Sequence, residues 1–339
     1  MKVIVTGSNG FVGSEIVVEI VKNDDFVFEV GRNKNSRKIN IITEQSTEFI
    51  EADITDYQNF TILEKLKNID AVVHSAGLAH QFGDIEKEKF YKVNVLGTEN
   101  TTKLAVKIKA KQFILISSTA VYGIKKNDCQ KNNEDQIVID EDTICQPETP
   151  YAESKLEAEK KCIEICRRNS LPLTILRLSP VIGENNTGNA ARLVSAIDNR
   201  RFVWIGKGEN LKSLIYKKDV ARAVVKILIN KKDGIELFNL AAKPIKMKQF
   251  VGEIEKNLKK NAPKFYVPSE ILGKIFAFND KLFHIGKLKK ISATVEKWLS
   301  DDIYSTRKIK EKYDFEPQTS MAEAVERQVR YYLEGKNKN

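Results

Sequence analysis

Apolar positions fall into two rhythms along the first half of the chain. Short apolar runs at Lys2 to Thr6, Phe26 to Val30, Thr47 to Glu51, Ala71 to His74, Gln112 to Ser117 and Leu173 to Arg177 have strand length. Between them, Phe11 to Lys22, Asp56 to Lys67, Glu88 to Lys109 and Pro150 to Arg168 repeat apolar residues at helical spacing. Strands that alternate with helices and lack tight hairpin signals need crossover connections, which are right-handed. The pattern therefore predicts an α/β fold, a doubly wound parallel sheet, over residues 1–180. Past residue 180 the rhythm loosens, with Gly and Asn clustered at Gly183-Glu184-Asn185-Asn186-Thr187-Gly188. A strand and a helix from about 210–245 are expected to rejoin the sheet. The rest of 181–333 forms a smaller α/β lobe, and the Lys/Asn tail at 334–339 frays. The stretch from Pro268 to Leu299 is helical in period, and its Phe, Ile and Lys suit packing on its own lobe better than lying on a membrane.

Composition narrows the classes. In 339 residues, 42% hydrophobic and 30% charged content describes a folded chain rather than a disordered one. No apolar run reaches the roughly eighteen residues a membrane span needs. Met1-Lys2-Val3-Ile4-Val5-Thr6 leads straight into strand and turn, so no signal peptide is expected. The net charge of +10, from 56 basic and 46 acidic residues, would suit nucleic acid if it were clustered. It is interspersed instead, as in Glu86-Lys87-Glu88-Lys89, which reads as a solvated surface with some pull on phosphate-bearing ligands. Cys129, Cys145, Cys162 and Cys166 complete no metal set and read as reduced thiols, which fits the cytoplasm.

The chemistry begins at Gly7-Ser8-Asn9-Gly10-Phe11-Val12-Gly13, set between the first strand and the first helix. Three glycines in this context allow a tight turn, close backbone approach to a pyrophosphate and close packing of the helix. The helix N-terminus then faces phosphate with free N–H groups, so the turn predicts a Rossmann-type dinucleotide site. At the end of the second strand the chain reads Val30-Gly31-Arg32-Asn33. No acid there repels a 2′-phosphate and Arg32 can pair with one, which favours NADP over NAD.

Tyr151-Ala152-Glu153-Ser154-Lys155 sets a phenol and an ammonium four apart on one helix face. A neighbouring ammonium favours phenolate, so Lys155 is expected to lower the pKa of Tyr151. The strand before that helix ends in Ser117-Ser118-Thr119-Ala120-Val121-Tyr122-Gly123, hydroxyls at the carboxyl end of a parallel strand, where ligands of such sheets bind.

These pieces resemble the extended short-chain dehydrogenase/reductase superfamily, in its NAD-dependent epimerase/dehydratase, nucleotide-sugar branch. The resemblance also rests on Glu51-Ala52-Asp53-Ile54-Thr55-Asp56, Ala71-Val72-Val73-His74-Ser75-Ala76-Gly77, Asn94-Val95-Leu96-Gly97-Thr98 and Asp219-Val220-Ala221. It implies Tyr151 as acid/base, Lys155 as its ribose-binding partner and Ser118 as the catalytic hydroxyl. It places Gly7, Asn9, Gly10, Phe11, Val12, Gly13, Arg32, Asp53, Ile54, Ser75, Ala76, Gly77 and Asn94 at the cofactor. Asn94 would in addition support the active-site helix, and His74 would pack or hydrogen-bond rather than titrate. On the substrate side it implies Thr119 and Arg192, with Lys212 where the family commonly has a diphosphate-binding arginine; Pro180 stands where many epimerases have asparagine.

The implied reaction is hydride transfer between a nicotinamide, NADP or NAD, and a nucleotide-sugar carbon, usually carbon 4. Epimerase and 4-keto reductase both fit. Dehydratase ranks third, because the acidic pair that branch carries after the serine strand is missing from Ser118-Thr119-Ala120. A reductase of steroid- or flavonoid-type carbonyls and a non-catalytic NADP-sensing regulator stay open as alternatives. Neither nucleic acid nor a metal is expected as a partner. A homodimer through the helices from Glu88 and Pro150 is the family habit.

Overall fold

The computed structural model describes residues 1–36, 45–79, 86–123, 130–131, 136–263, 266–268 and 298–336. Its centre is a seven-stranded parallel sheet of β1 (Lys2–Thr6), β2 (Phe26–Gly31), β3 (Thr47–Glu51), β4 (Ala71–His74), β5 (Phe113–Ser118), β6 (Leu173–Leu178) and β7 (Ile235–Leu240). The strands lie in the order β7-β6-β5-β4-β1-β2-β3. The order reverses between β1 and β4, and the crevice above that reversal is where such sheets bind ligands.

Both faces of the sheet are covered, which is why its strands read as unbroken apolar runs. On one face α1 (Gly13–Val21) packs through Ile16, Val17 and Ile20 beside Val220 and Val224 of the helix Lys217–Ile229. On the other lie α2 (Gly97–Lys107), through Leu104 and Ala105, and α3 (Pro150–Arg168), through Cys162 and Cys166. Lys217–Ile229 and β7 are the helix and strand that return from the second half of the chain. A separate core of Val194, Ile197, Phe250, Ile254, Val325 and Val329 holds the smaller lobe.

Three segments differ from the periodicity. Residues 56–67 form a short α-turn, Tyr57–Phe60, and a 3-10 helix, Thr61–Lys65, in place of one long helix. Phe60 and Leu63, both fully buried, are spaced three apart and suit the tighter winding. The run expected from Glu88 to Lys109 changes to π-helix over Tyr91–Leu96 before α2. The last helix, Met321–Lys336, continues past Leu333, where fraying was expected. Its final turn is tied down by the Lys336 ammonium, 2.5 Å from Asp198. Most of the stretch from Pro268 to Leu299 lies outside the described residues, as does Cys129.

Beneath the site, α3 is fastened to the sheet by a buried ion pair. Arg177 of β6 donates to both Glu159 carboxylate oxygens, through Nη2 at 2.7 Å and Nε at 3.1 and 3.2 Å. Ser117, paired with Arg177 across the β5–β6 ladder, donates to the same carboxylate. Burial works against the Arg177 charge, and the hydrogen bonds and charge of Glu159 more than restore it, so the guanidinium is held above its ordinary value. His74, at the end of β4, is fully buried between the Thr6 hydroxyl (2.7 Å at Nδ1) and the Thr98 hydroxyl (3.0 Å at Nε2). Thr98 spends its own proton on the Asn94 carbonyl, so Nε2 carries the imidazole proton and Nδ1 accepts. Burial, reinforced by the charge of Lys155, pushes His74 down to about 3.

Two outcomes follow from these contacts. Glu159→Gln leaves Arg177 buried without its counter-charge and is expected to lower unfolding stability by about 3–5 kcal/mol in a urea titration. Glu164→Gln, which loses only the surface partner Arg168, should change it little. His74 resists protonation when folded and accepts it near 6.5 when unfolded, so its stabilisation is complete above about pH 6.5 and declines as pH falls towards 3. Thermal midpoints of His74→Gln measured from pH 7 to 4 should fall less steeply than those of the native chain.

Candidate active site

The glycine turn folds as a cradle. Gly7 N–H donates to the Val30 carbonyl (2.9 Å) and Gly10 N–H to the Gly7 carbonyl (2.8 Å). Gly7 has φ +69°, and a Cβ there would sit 2.7 Å from the Ala76 Cα. A Cβ on Gly13 would lie 2.1 Å from the Gly7 carbonyl oxygen, so the close approach this glycine permits is to the turn itself. No side chain caps the N-terminus of α1, and Phe11 and Val12 are partly buried beside it. The Asn9 amide donates to the Asn33 carbonyl (2.9 Å), tying the turn to the end of β2. A backbone cradle with an uncapped helix start fits the pyrophosphate of a dinucleotide.

The other expected cofactor residues ring the same crevice. Ser75 and Ala76 hang from Thr6 through their N–H groups (3.2 and 3.4 Å). Asp53 accepts from Thr55 N–H at 2.8 Å. Ile54 is buried, its carbonyl held by Asn100 (2.9 Å) and its side chain filling the notch left by Gly97. Arg32 is exposed just past β2, as a 2′-phosphate partner must be. Sequence reading missed Glu51: the β2–β3 register sets it beside Gly31, bringing an acid to the strand end that seemed to have none.

Ser118 and Tyr151 come together. Ser118 ends β5 and its hydroxyl caps the following turn, accepting from Ala120 N–H at 3.2 Å. Thr149 caps α3 by accepting from Ala152 N–H (3.2 Å), with Pro150 in the first turn, and this start presents Tyr151 to the crevice. Phe90 packs edge-on against the Tyr151 ring, centroids 6.1 Å apart. Burial raises the Tyr151 phenol above its ordinary value, and the nearby Ser118 hydroxyl pulls it back in part.

Lys155 behaves differently from expectation. Its ammonium donates to the Ile116 carbonyl at 2.7 Å, and burial brings it down to about 8 although Glu159 opposes the shift. The phenol is raised rather than lowered, because its burial outweighs the influence of Ser118.

Three further residues take other places. The Asn94 carboxamide is filled by the protein: Oδ1 accepts from Leu78 N–H (2.7 Å), and Nδ2 donates to the Leu78 carbonyl (3.1 Å) and the Ser154 hydroxyl (2.9 Å). It braces α3 against the loop after β4, with both donors committed before any cofactor could use them. Thr119 is only 3% exposed, and its side chain lies beside the Tyr304 hydroxyl. Lys212 is half-buried in an ion pair with Asp302 (2.7 Å), which offsets the charge expected to hold a diphosphate. Arg192 is exposed in the first turn of the helix Asn189–Asp198 on the smaller lobe. Asp302 and Tyr304 were invisible to motif reading, being brought to the site from far along the chain.

No described helix is long and apolar enough to cross a membrane, and no described His, Cys, Asp and Glu group could hold a metal ion.

The model of the NAD dependent epimerase/dehydratase family matches residues 3–241. N-acetyl-alpha-D-glucosaminyl-diphospho-ditrans,octacis-undecaprenol 4-epimerase of Escherichia coli O157:H7 is 29% identical over 87% of this chain and 86% of its own. A dTDP-D-glucose 4,6-dehydratase of Mus musculus is 29% identical over 70% of this chain and 67% of its own. The crystal structure of UDP-glucuronic acid 4-epimerase from Bacillus cereus in complex with NAD superposes with a TM-score of 0.74 at 22% identity, covering 98% of this chain and 99% of that one. The fold, the glycine cradle and a family match that spans the whole sheet domain agree: the chain belongs to the NAD dependent epimerase/dehydratase family, enzymes of the extended short-chain dehydrogenase/reductase type.

Proposed function

We propose that this enzyme is an NAD(P)-dependent 4-epimerase or 4-keto reductase of a sugar carried on a diphosphate, a nucleotide sugar first. The observation that carries this reading is the closeness of Ser118, at the carboxyl end of β5, to Tyr151 and buried Lys155 at the start of α3. Bound in the crevice, the nicotinamide supplies hydride acceptance and return. Tyr151 exchanges the proton of the reacting sugar hydroxyl, and Ser118 holds that oxygen. Lys155, fixed to Ile116, keeps a positive charge below about pH 8 on the helix that carries Tyr151. The pairing of phenol and serine favours catalysis over a purely sensory role.

Epimerase or reductase stands ahead of dehydratase on the turn after β5. Expelling a sugar hydroxyl calls for an acid to protonate it, and Ser118-Thr119-Ala120 offers two hydroxyls and a methyl. The Escherichia coli relative's name puts its sugar on a polyprenyl diphosphate, so both kinds of carrier belong in a substrate panel. For the cofactor, Arg32 supports NADP, while Glu51 on the neighbouring strand supports NAD, which the Bacillus cereus structure holds. The exposed guanidinium favours NADP where both are offered. A homodimer through 87–107 and α3 fits the exposure of Tyr91 and Leu96.

Two measurements test the reading. Tyr151→Phe, assayed with UDP-, dTDP- and GDP-sugars and a polyprenyl-diphospho sugar, should bind dinucleotide normally and lose turnover by about a hundredfold or more; full activity in that variant would sink the mechanism. Arg32→Ala should weaken NADP about tenfold and leave NAD nearly unchanged in a direct titration.

A further inference from the structure

The segment 301–305 joins the site as an added strand with both edges bonded. On one side Ile139 N–H donates to the Ile303 carbonyl and Ser305 N–H to the Ile139 carbonyl, each at 2.8 Å. On the other, Asp302 N–H donates to the Leu211 carbonyl and Ser213 N–H to the Asp302 carbonyl, again at 2.8 Å. Alternation along an extended chain then puts Asp302 and Tyr304 on one face and buried Ile303 on the other. Tyr304 N–H is also close to the Ser213 hydroxyl, at 3.4 Å.

Tyr304 thus lies on a segment bonded along both edges. Its ring stacks on Tyr122, centroids 6.2 Å apart and planes 28° from parallel. Tyr122 is itself tied down, its hydroxyl donating to Asn239 Oδ1 (2.7 Å) and its ring lying 4.8 Å from the Arg177 guanidinium. The Tyr304 hydroxyl lies beside the side chain of Thr119, the residue that follows Ser118. Thr119 is buried, whereas Tyr304 keeps part of its surface exposed.

We propose that Tyr304 is a specificity-determining residue that meets the sugar ring beside Ser118, the place the sequence assigned to Thr119. This rests on the nucleotide-sugar reading above. A phenol keeps spare hydrogen-bonding capacity when one partner is engaged, and its ring offers a flat apolar edge beside a polar tip, which suits a pyranose carrying hydroxyls around an apolar face. Burial and the charge of Asp302 both hold this phenol above its ordinary value, so it stays protonated and acts as a hydrogen-bonding group rather than a second base.

The test uses the NAD-loaded full chain with UDP-glucose and UDP as probes in equilibrium titrations. Tyr304→Phe should weaken UDP-glucose about fivefold, the loss of one neutral hydrogen bond, and leave UDP unchanged. Tyr304→Ala, which also removes the ring, should weaken UDP-glucose further and raise KM more than it lowers kcat. Equal affinity of wild type and Tyr304→Phe for UDP-glucose would overturn the proposal, as would an equal loss for UDP and UDP-glucose, the mark of a purely structural tyrosine. Failure of the wild type itself to bind any of a panel of UDP-, dTDP- and GDP-sugars would remove the nucleotide-sugar reading first, and this inference with it.

Discussion

Everything at this site hangs on a charge buried where charges are costly. Glu159 on α3 and Arg177 on β6 have almost no exposure, and each is tolerable only because the other is in place. Their fork geometry fixes α3 in rotation as well as in distance, since a bidentate contact has a preferred plane. Two of the candidate site residues take their positions from that anchor. Tyr151 stands two turns up the same helix, and Lys155 lies one turn from Glu159, whose charge offsets part of its burial. The same guanidinium lies against Tyr122, on which Tyr304 rests. A single ion pair thus orients both the helix that carries Tyr151 and the stacked pair Tyr122 and Tyr304.

The sheet contributes position rather than reactivity. Parallel strands end together on one side, so residues from β1, β4 and β5 converge although they are distant in sequence. The glycine cradle, the loop after β4 and the serine turn are three such endings, and the hydrogen bonds of Thr6, His74, Thr98 and Asn94 join the first two to the helix behind them. This polar chain is fully buried and nearly saturated, the condition under which buried polar groups specify one arrangement.

The doubly wound sheet was legible because its signals are local: strand-length apolar runs, helical spacing, a glycine turn between the two. Pro150–Arg168 emerged with the boundaries its pattern gave. Residues 56–67 did not, because a single helix and an α-turn followed by 3-10 winding can share an apolar spacing of three. At the site, Ser118, Tyr151 and the glycines lie inside motifs, which is what makes them candidates from sequence. The brace from Asn94 to α3 matches its expected support of that helix, whereas the contacts around Thr119 and Lys212 lie outside any motif. Each of these two has a partner, Tyr304 or Asp302, that no spacing rule connects to it, and a polar side chain's role depends on what already occupies its hydrogen bonds. Glu51 was overlooked because register across β2 and β3 is a tertiary fact.

The π-helical stretch Tyr91–Leu96 carries a consequence for how this protein tolerates insertions and deletions. A π turn accommodates one residue more than an α turn, so the helix before it and the helix after it are out of phase by about 100° relative to a continuous α-helix. Asn94 lies within that phase jump, and Leu78 and Ser154 both require its amide. Removing one residue here would give a more regular helix and a worse enzyme, because Phe90 and α2 could no longer both face the core while Asn94 faces α3. Length in this segment is therefore constrained as tightly as identity.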